Sequence, residues 1–311
     1  MFKTRIRKRI IFNDFLDEWL TIHKANVKES TYVTYYNHCH NHIKPYFKKQ
    51  YLHDINHNII QQFIDYHLKY GNLRTKKELS VKTVKELINV LKLCLKYAMN
   101  GGYIQPFNLD FKLPKQNKTI NMMNQNDYHN LVSYLKENES YFHIGILMML
   151  SMGMRIGEVC ALKNKNINLR KKEIYINSTL QRIQDFENNK TKIIITPVKT
   201  IYSQRIIPIP DSLVQYLKLE EDDFFFLTQS TKYIEPRSFR YKFKKIIKKL
   251  QIDEVTVHSL RHYFASQCIE LGFDYNCLSE ILGHSSPSTT MNLYVHCQDK
   301  YKQECMNKIH I

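Results

Sequence analysis

Apolar residues recur every three or four positions in four successive stretches of the N-terminal third, which is the spacing of amphipathic helices. The four predicted helices cover residues 11–24, 30–45, 56–71 and 80–101. Serines stand in the N-cap position of the second and fourth helices, at Ser30 and Ser80. Residues that end helices follow the last three, at Pro45, Gly71 and Gly101. This pattern predicts an all-α module of four helices.

The periodic pattern stops between residues 106 and 123, where two prolines and three asparagines replace the apolar stripe. Such a composition is typical of a linker between domains. We therefore expect two domains, residues 1–112 and residues 120–311, which agrees with the chain length.

The second region mixes helical and strand patterns. Helices are predicted at residues 124–136, 142–152, 211–219 and 235–250, in a segment that Arg155 opens, and in three segments after Thr256. Runs of β-branched residues predict strands at 173–177, 191–198 and 205–210, with a hairpin turn near 199–204. The predicted fold class is α+β: an all-α four-helix domain, then a mainly helical domain with a small antiparallel sheet.

The net charge of +17 and the pI near 9.4 indicate that this protein has an anionic partner. Lysines are spread along the whole chain, which indicates a broad basic surface and a nucleic acid as the first candidate. An anionic membrane is the second candidate, but no apolar run is long enough to span a bilayer. The first ten residues are basic and have no apolar signal core.

The seven cysteines are scattered, and no two are in a CxxC arrangement. This indicates neither a zinc site nor a disulfide framework, and it favours a reducing, intracellular setting. We therefore predict a cytoplasmic protein with no metal and no cofactor.

Polar residues that suit chemistry on a phosphate are concentrated near the C-terminus. His258 and Arg261 are in the predicted first turn after Thr256, where a helix N-terminus favours anions. His284 and Tyr294 follow. The alternative interpretation of the first two is a buried histidine and a surface arginine.

Arg155 has a similar ambiguity, because it can form an i,i+3 ion pair with Glu158. On a surface such a pair contributes little to stability.

Breaking a phosphodiester without a metal ion requires a nucleophile, cations for the non-bridging oxygens, an acid for the leaving oxygen and a base. Arginine suits the second task because its planar guanidinium makes bidentate contacts with phosphate. Lysine can donate a proton, and histidine titrates near neutrality.

Five ordered blocks carry a family resemblance: LSMGMRIGEVCAL, VKTIYSQRIIPIP, HSLRHYFAS, ILGHSS and TTMNLYVH. Together they resemble the catalytic region of the tyrosine recombinases, also called phage-type integrases. The stretch SVKTVKELINVLKLCLKYAMNGGYI and the helices before it resemble the core-binding domain of that family. About ten residues precede the first predicted helix, which resembles the simpler Xer-type layout without an arm-binding domain.

The resemblance implies a role for each matching residue. Two arginines, Arg155 and Arg261, would hold the scissile phosphate, and His284 would hydrogen-bond it. His258 would assist as acid or base, and Glu158 would buttress the site. Tyr294 would be the nucleophile and form a 3′-phosphotyrosyl link.

Lys199 would be the general acid for the leaving 5′ oxygen. Lys190 and Lys192 are nearby alternatives, and Lys199 is preferred because KT followed by SxR and IPIP matches the family hairpin.

The resemblance also implies the partners: double-stranded DNA, a homo-tetramer on two DNA sites, and an accessory DNA-bending protein. No membrane, nucleotide or metal is expected to take part. Two other functions use similar features. A type IB topoisomerase would relax supercoils with a similar residue set, and a non-catalytic protein of this fold would only bind DNA.

Overall fold

The computed structural model describes residues 9–114, 123–186, 188, 190–198, 201–253, 255–284, 286, 288 and 291. The chain divides into two compact units, Met1–Lys118 and Thr119–Ile311. Each unit has a hydrophobic core of its own. None of the described helices is long and apolar enough to cross a membrane.

The first unit is helical, as predicted. Its helices are α1 (Phe12–Lys24), α2 (Glu29–His38), α3 (Lys44–Phe47), α4 (His57–Tyr70) and α5 (Val81–Asn100). A π turn, Cys39–Ile43, joins α2 to α3, so these two helices and the turn together form the second predicted helix. Pro45 does not end it, because the wide π turn comes directly before the proline and the chain stays helical to Phe47.

The two predicted serine caps have different outcomes. Ser80 caps α5, since its Oγ accepts the Thr83 N–H at 3.1 Å. Ser30 is wrong as a cap, because α2 begins at Glu29 and Lys28 occupies the N-cap position. The core of this unit consists of the apolar stripes of α1, α4 and α5, with Phe12, Phe63 and Leu91 fully buried.

The second unit contains seven described helices: α6 (Gln125–Glu137), α7 (Tyr141–Met152), α8 (Ile156–Ala161), α9 (Asp211–Val214), α10 (Pro236–Lys249), α11 (Val257–Glu270) and α12 (Tyr275–Leu282). Helix α9 is shorter than predicted. Its last turn tightens, because Tyr216 and Leu217 donate to carbonyls only three residues earlier. Helix α7 is buried along most of its length and packs against α6, α8 and α11.

The described strands form two small antiparallel sheets instead of the single one predicted. The strands are β1 (Ile167–Asn168), β2 (Glu173–Ile176), β3 (Ser178–Asp185), β4 (Lys190–Pro197) and β5 (Arg205–Pro208). One sheet has the order β1-β2-β5, and the other pairs β3 with β4.

The predicted hairpin between residues 191–198 and 205–210 is therefore wrong. Strand β4 pairs with β3, with Leu180 opposite Ile195, whereas β5 pairs with β2, with Ile174 opposite Ile207. Strand β3 could not be predicted from the sequence, because only two of its eight residues are apolar. Packing against α8 stabilises this strand, and a period-two pattern does not report that contact.

Candidate active site

The site begins where α7 ends and α8 starts. Gly153 ends α7 in the left-handed region, with φ 63°. Arg155 is the N-cap residue of α8, as predicted. Its backbone N–H donates to Glu158 Oε2 at 2.8 Å, and its Nη1 donates to Glu158 Oε1 at 2.8 Å. These bonds fix Arg155 to the first turn of α8.

The Arg155–Glu158 pair is not the surface ion pair of the alternative interpretation. The Glu158 side chain is only 2% exposed, while that of Arg155 is 35% exposed. Burial alone would raise the pKa of Glu158. The hydrogen bonds and charge of Arg205, with the charge of Arg155, outweigh burial and lower the pKa to about 2. Glu158 is therefore an ionised carboxylate inside the protein.

Arg205 is the residue of this cluster that sequence reasoning missed. Its Nη1 and Nη2 donate to both oxygens of Glu158, at 3.0 and 2.9 Å. Strand β5 alternates buried and exposed positions, and Arg205 is on the buried face together with Ile207. That alternation was the available signal, because an arginine on the apolar face of a strand requires a buried anion.

Arg261 projects from α11 into the same region. It is 4% exposed. Its Nη1 donates to the Gly153 carbonyl at 2.6 Å, and its Nη2 donates to the Leu282 carbonyl at 2.6 Å and to His284 Nε2 at 2.9 Å. The alternative interpretation, with Arg261 at the surface and His258 buried, is therefore wrong, because Arg261 is buried and His258 is exposed.

The C-terminal end of α12 receives three guanidinium groups on consecutive carbonyls. Arg205 Nε donates to Ile281 at 2.6 Å, Arg261 Nη2 to Leu282 at 2.6 Å, and Arg155 Nη2 to Gly283 at 3.0 Å. The last carbonyls of a helix lack intrahelical partners and carry partial negative charge, so they favour cations. The helix end thus orients three arginines from three different elements.

His284 follows this helix end directly. Burial, and then the charges of Arg261, Arg155 and Arg205, lower its pKa to about 4. The imidazole is therefore neutral at pH 7. Because a guanidinium can only donate, His284 Nε2 accepts the bond from Arg261, and the ring proton is on Nδ1.

His258 is in the first turn of α11, which Thr256 caps through a 3.2 Å bond from the Ser259 N–H. Its ring meets that of His262 edge to face, with centroids 4.6 Å apart. Burial, and then the charges of His258 and Arg261, lower the pKa of His262 to about 4. Because His258 and Arg261 are three residues apart in α11, they lie on the same helix face, and His258 is the more exposed of the two.

The structure brings Arg155, Arg261 and His284 into one hydrogen-bonded cluster, with His258 one turn from Arg261. Lys199 and Tyr294 lie outside the described residues. Within the described part of the chain, no group of three or more His, Cys, Asp or Glu side chains could hold a metal ion.

A basic pocket of about 890 Å³ adjoins His258, between α10 and the start of α11. Arg240, Lys244 and Lys248 line it together with apolar side chains. Cationic side chains therefore extend from the site along α10.

The sequence models of two families match this chain. The model of the phage integrase family covers residues 121–301, and that of the phage integrase N-terminal SAM-like domain covers residues 11–68.

Curated relatives extend over nearly the whole chain. A tyrosine recombinase XerC-like protein of Caldanaerobacter subterraneus subsp. tengcongensis is 26% identical, with 96% of this chain and 83% of that protein covered. The integrase of Staphylococcus phage L54a is 27% identical, with 97% and 93% covered.

Solved structures share the fold. The integrase of transposon Tn1549, in complex with a circular intermediate DNA, superposes with a TM-score of 0.79 at 18% identity, covering 96% of this chain and 100% of that one. A lambda integrase tetramer bound to a Holliday junction gives 0.64 at 15% identity, covering 89% and 78%. The match of the catalytic-region model to more than half of the chain establishes that the protein belongs to the phage integrase family, the tyrosine recombinases, and is a DNA-cutting and rejoining enzyme of that class.

Proposed function

We propose that the protein is a site-specific recombinase that cuts and rejoins duplex DNA through a 3′-phosphotyrosyl intermediate, with Arg155, Lys199, His258, Arg261, His284 and Tyr294 as its catalytic residues. The observation that carries this assignment is the α12 helix end, where Arg155 and Arg261 meet beside His284. These three residues are far apart in the sequence, and a shared function for them explains their convergence.

Arg155 and Arg261 hold the two non-bridging oxygens of the scissile phosphate. Both guanidiniums are oriented by backbone carbonyls before any substrate binds. Preorganised cations stabilise the charge that develops on phosphorus without having to rearrange during the reaction. The neutral His284 donates its Nδ1 proton to the same phosphate.

Cleavage is a single substitution at phosphorus. The Tyr294 oxygen attacks, the bond from phosphorus to the 5′ oxygen breaks, and the 3′ phosphate becomes attached to tyrosine. His258 accepts the tyrosine proton, and Lys199 gives a proton to the leaving 5′ oxygen. In the second step a 5′ hydroxyl attacks the phosphotyrosine and restores the backbone, so no external energy source is needed.

We further propose that residues 1–112 form a core-binding domain and residues 120–311 the catalytic domain. Double-stranded DNA is the partner, supported by the net charge of +17 and by the cationic pocket beside His258. The lambda integrase tetramer on a Holliday junction supports a homo-tetramer on two DNA sites here. The cytoplasm is the compartment, because the DNA substrate is there. An accessory DNA-bending protein is the further partner, and recombination of the site by the isolated protein would remove it.

The test uses a nicked duplex that carries the recombination site identified in the DNA flanking the gene. Cleavage near the nick lets a short fragment diffuse away and traps the covalent adduct on a denaturing gel. Tyr294→Phe is expected to bind this duplex as tightly as the wild type and to form no adduct, whereas Tyr301→Phe, the matched control, is expected to form it normally. An adduct on Tyr294→Phe would refute the assignment, and relaxation of any supercoiled plasmid without site preference would favour a topoisomerase.

A further inference from the structure

Arg205 joins several parts of the site through its side chain. Its side chain is 6% exposed, and four hydrogen bonds hold it. Two of these bonds reach Glu158, one reaches the Ile281 carbonyl, and one reaches the Ser203 carbonyl at 3.1 Å. A guanidinium has five N–H donors. Four of these donors are already used, so Arg205 has one left and is not placed to make a bidentate contact with a phosphate.

The contacts of Arg205 connect two elements that adjoin different predicted catalytic residues. Through Glu158 it reaches the first turn of α8, where Arg155 shares the same carboxylate. Through Ile281 it holds the α12 helix end, three residues before His284. Arg205 itself begins β5.

The backbone near Arg205 also indicates a close fit. Gly283 has φ 65°, and a Cβ there would lie 3.0 Å from Arg205 Nη1 and 3.1 Å from its Cδ. The turn between α12 and His284 therefore passes against the Arg205 side chain, so a displacement of that side chain would be transmitted to the turn.

We infer that Arg205 is a positioning residue of the recombination reaction: it fixes Arg155, through Glu158, and the His284 turn in one geometry around the scissile phosphate. This inference rests on the proposed function. Its physical basis is that a bidentate guanidinium–carboxylate pair fixes both distance and orientation. Loss of Arg205 leaves Glu158 buried with Arg155 as its remaining partner, so Arg155 is drawn towards the carboxylate and away from the phosphate.

The experiment compares Arg205→Met and Arg205→Lys with the wild type in single-turnover cleavage of the same nicked duplex. Methionine removes the charge, while lysine keeps it but cannot bind both carboxylate oxygens and Ile281 together. We expect DNA binding within a few-fold of the wild type and cleavage slowed by about 10²-fold for methionine, the scale of a small misplacement of catalytic groups. We expect a smaller loss for lysine.

A second substrate separates positioning from general damage to the fold. A methylphosphonate at the scissile position replaces one charged oxygen with a methyl group, so less negative charge has to be stabilised by the arginines. The ratio of variant to wild-type rate should therefore be closer to one on methylphosphonate than on phosphate. Arg182→Met, which removes a different arginine from an ion pair with Glu235 in the same unit, is the matched control and should cleave both substrates like the wild type.

Two results would overturn the inference. One is equal loss on both substrates, which indicates structural damage alone. The other is a wild-type cleavage rate for Arg205→Lys, which shows that the bidentate geometry is not needed. If Arg205→Met does not fold, the cleavage rate of Arg205→Lys alone tests the inference. Failure of the proposed function has a different signature, because the wild type itself would then form no Tyr294-dependent adduct.

Discussion

At the scale of single residues, the site is a set of charges that hold one another in place before DNA arrives. Glu158 neutralises part of the charge of Arg155 and Arg205, and one helix-end carbonyl accepts a hydrogen bond from each of these arginines. His284 stays neutral in this cationic surrounding, since its pKa is about 4. The general acid is therefore best supplied by a group with a higher pKa, which is consistent with the role that the family resemblance implies for Lys199.

Lys199→Ala tests the assignment of the general acid. On ordinary DNA we expect cleavage to fall by roughly 10²–10⁴-fold, the usual contribution of general acid catalysis. On a substrate with sulfur in place of the bridging 5′ oxygen, the thiolate leaves without a proton, so most of the loss should disappear. Arg261→Ala is the control and should stay slow on both substrates, because it acts on the non-bridging oxygens.

Equal defects of Lys199→Ala on the two substrates would contradict the role. Lys190 and Lys192, at the start of β4, would then need the same comparison.

At the scale of helices and turns, two glycines end helices and accept hydrogen bonds from arginine side chains through their carbonyls. Gly153 ends α7 and Gly283 ends α12, both with positive φ, and their carbonyls accept from Arg261 and Arg155 respectively. Gly272 ends α11 with φ 82° and has open space around it. The three positions share the left-handed backbone and differ in what surrounds them.

Gly153→Ala and Gly272→Ala separate backbone strain from crowding. Both place a Cβ in the left-handed region, which costs about 1–2 kcal/mol. At Gly153 the new Cβ would also lie 2.5 Å from Phe264 Cδ1, and such overpacking costs about 1–3 kcal/mol more. Denaturant unfolding should therefore show Gly153→Ala as clearly the less stable variant. Equal stability of the two would show that the core around Phe264 adapts.

At the scale of the whole molecule, two units with separate cores contain different sets of buried and partly buried histidines. In the first unit, His38, His42 and His67 lie close together, and the rings of His42 and His67 meet edge to face with centroids 5.6 Å apart. Burial lowers the pKa of all three, and for His42 burial and then the charges of His67 and His38 lower the pKa to about 4. Glu86 is the acidic group that faces this cluster, 3.8 Å from His38 Nε2.

Acid should therefore weaken the first unit in a defined pH window. Below the ordinary histidine pKa of about 6.5, the unfolded chain binds a proton at His42, whereas the folded unit binds it only near pH 4. The contribution of this histidine to stability is therefore fully present above pH 6.5 and decreases as the pH falls towards 4. Trp19, the only tryptophan, is buried in this unit, and its fluorescence reports this unit alone. Thermal melts at pH 7 and pH 5 should differ by several degrees, and His42→Gln should reduce that difference; an unchanged difference would remove His42 as a cause.

The first unit shows which parts of the fold can be predicted from local sequence. The stripes of α4 and α5 and the Ser80 cap are local features, because a helix depends on residues three and four apart. Strand pairing is not local, so the partners of β4 and β5 could not be predicted from their own sequences. The π turn before Pro45 likewise depends on packing along the whole of α2 and α3.

The sequence by itself determined the family and the helical character of both units, and it named the candidate catalytic residues, because it contains five ordered motifs and a 3.6-residue period. Only the tertiary structure decided that Glu158 is buried, that Arg205 belongs to the site, and that the end of α12 orients three arginines. The physical reason is that burial and the pairing of charges depend on separate elements, whose contacting residues lie 21 to 128 positions apart along the chain. No periodic pattern within one element can encode such a contact.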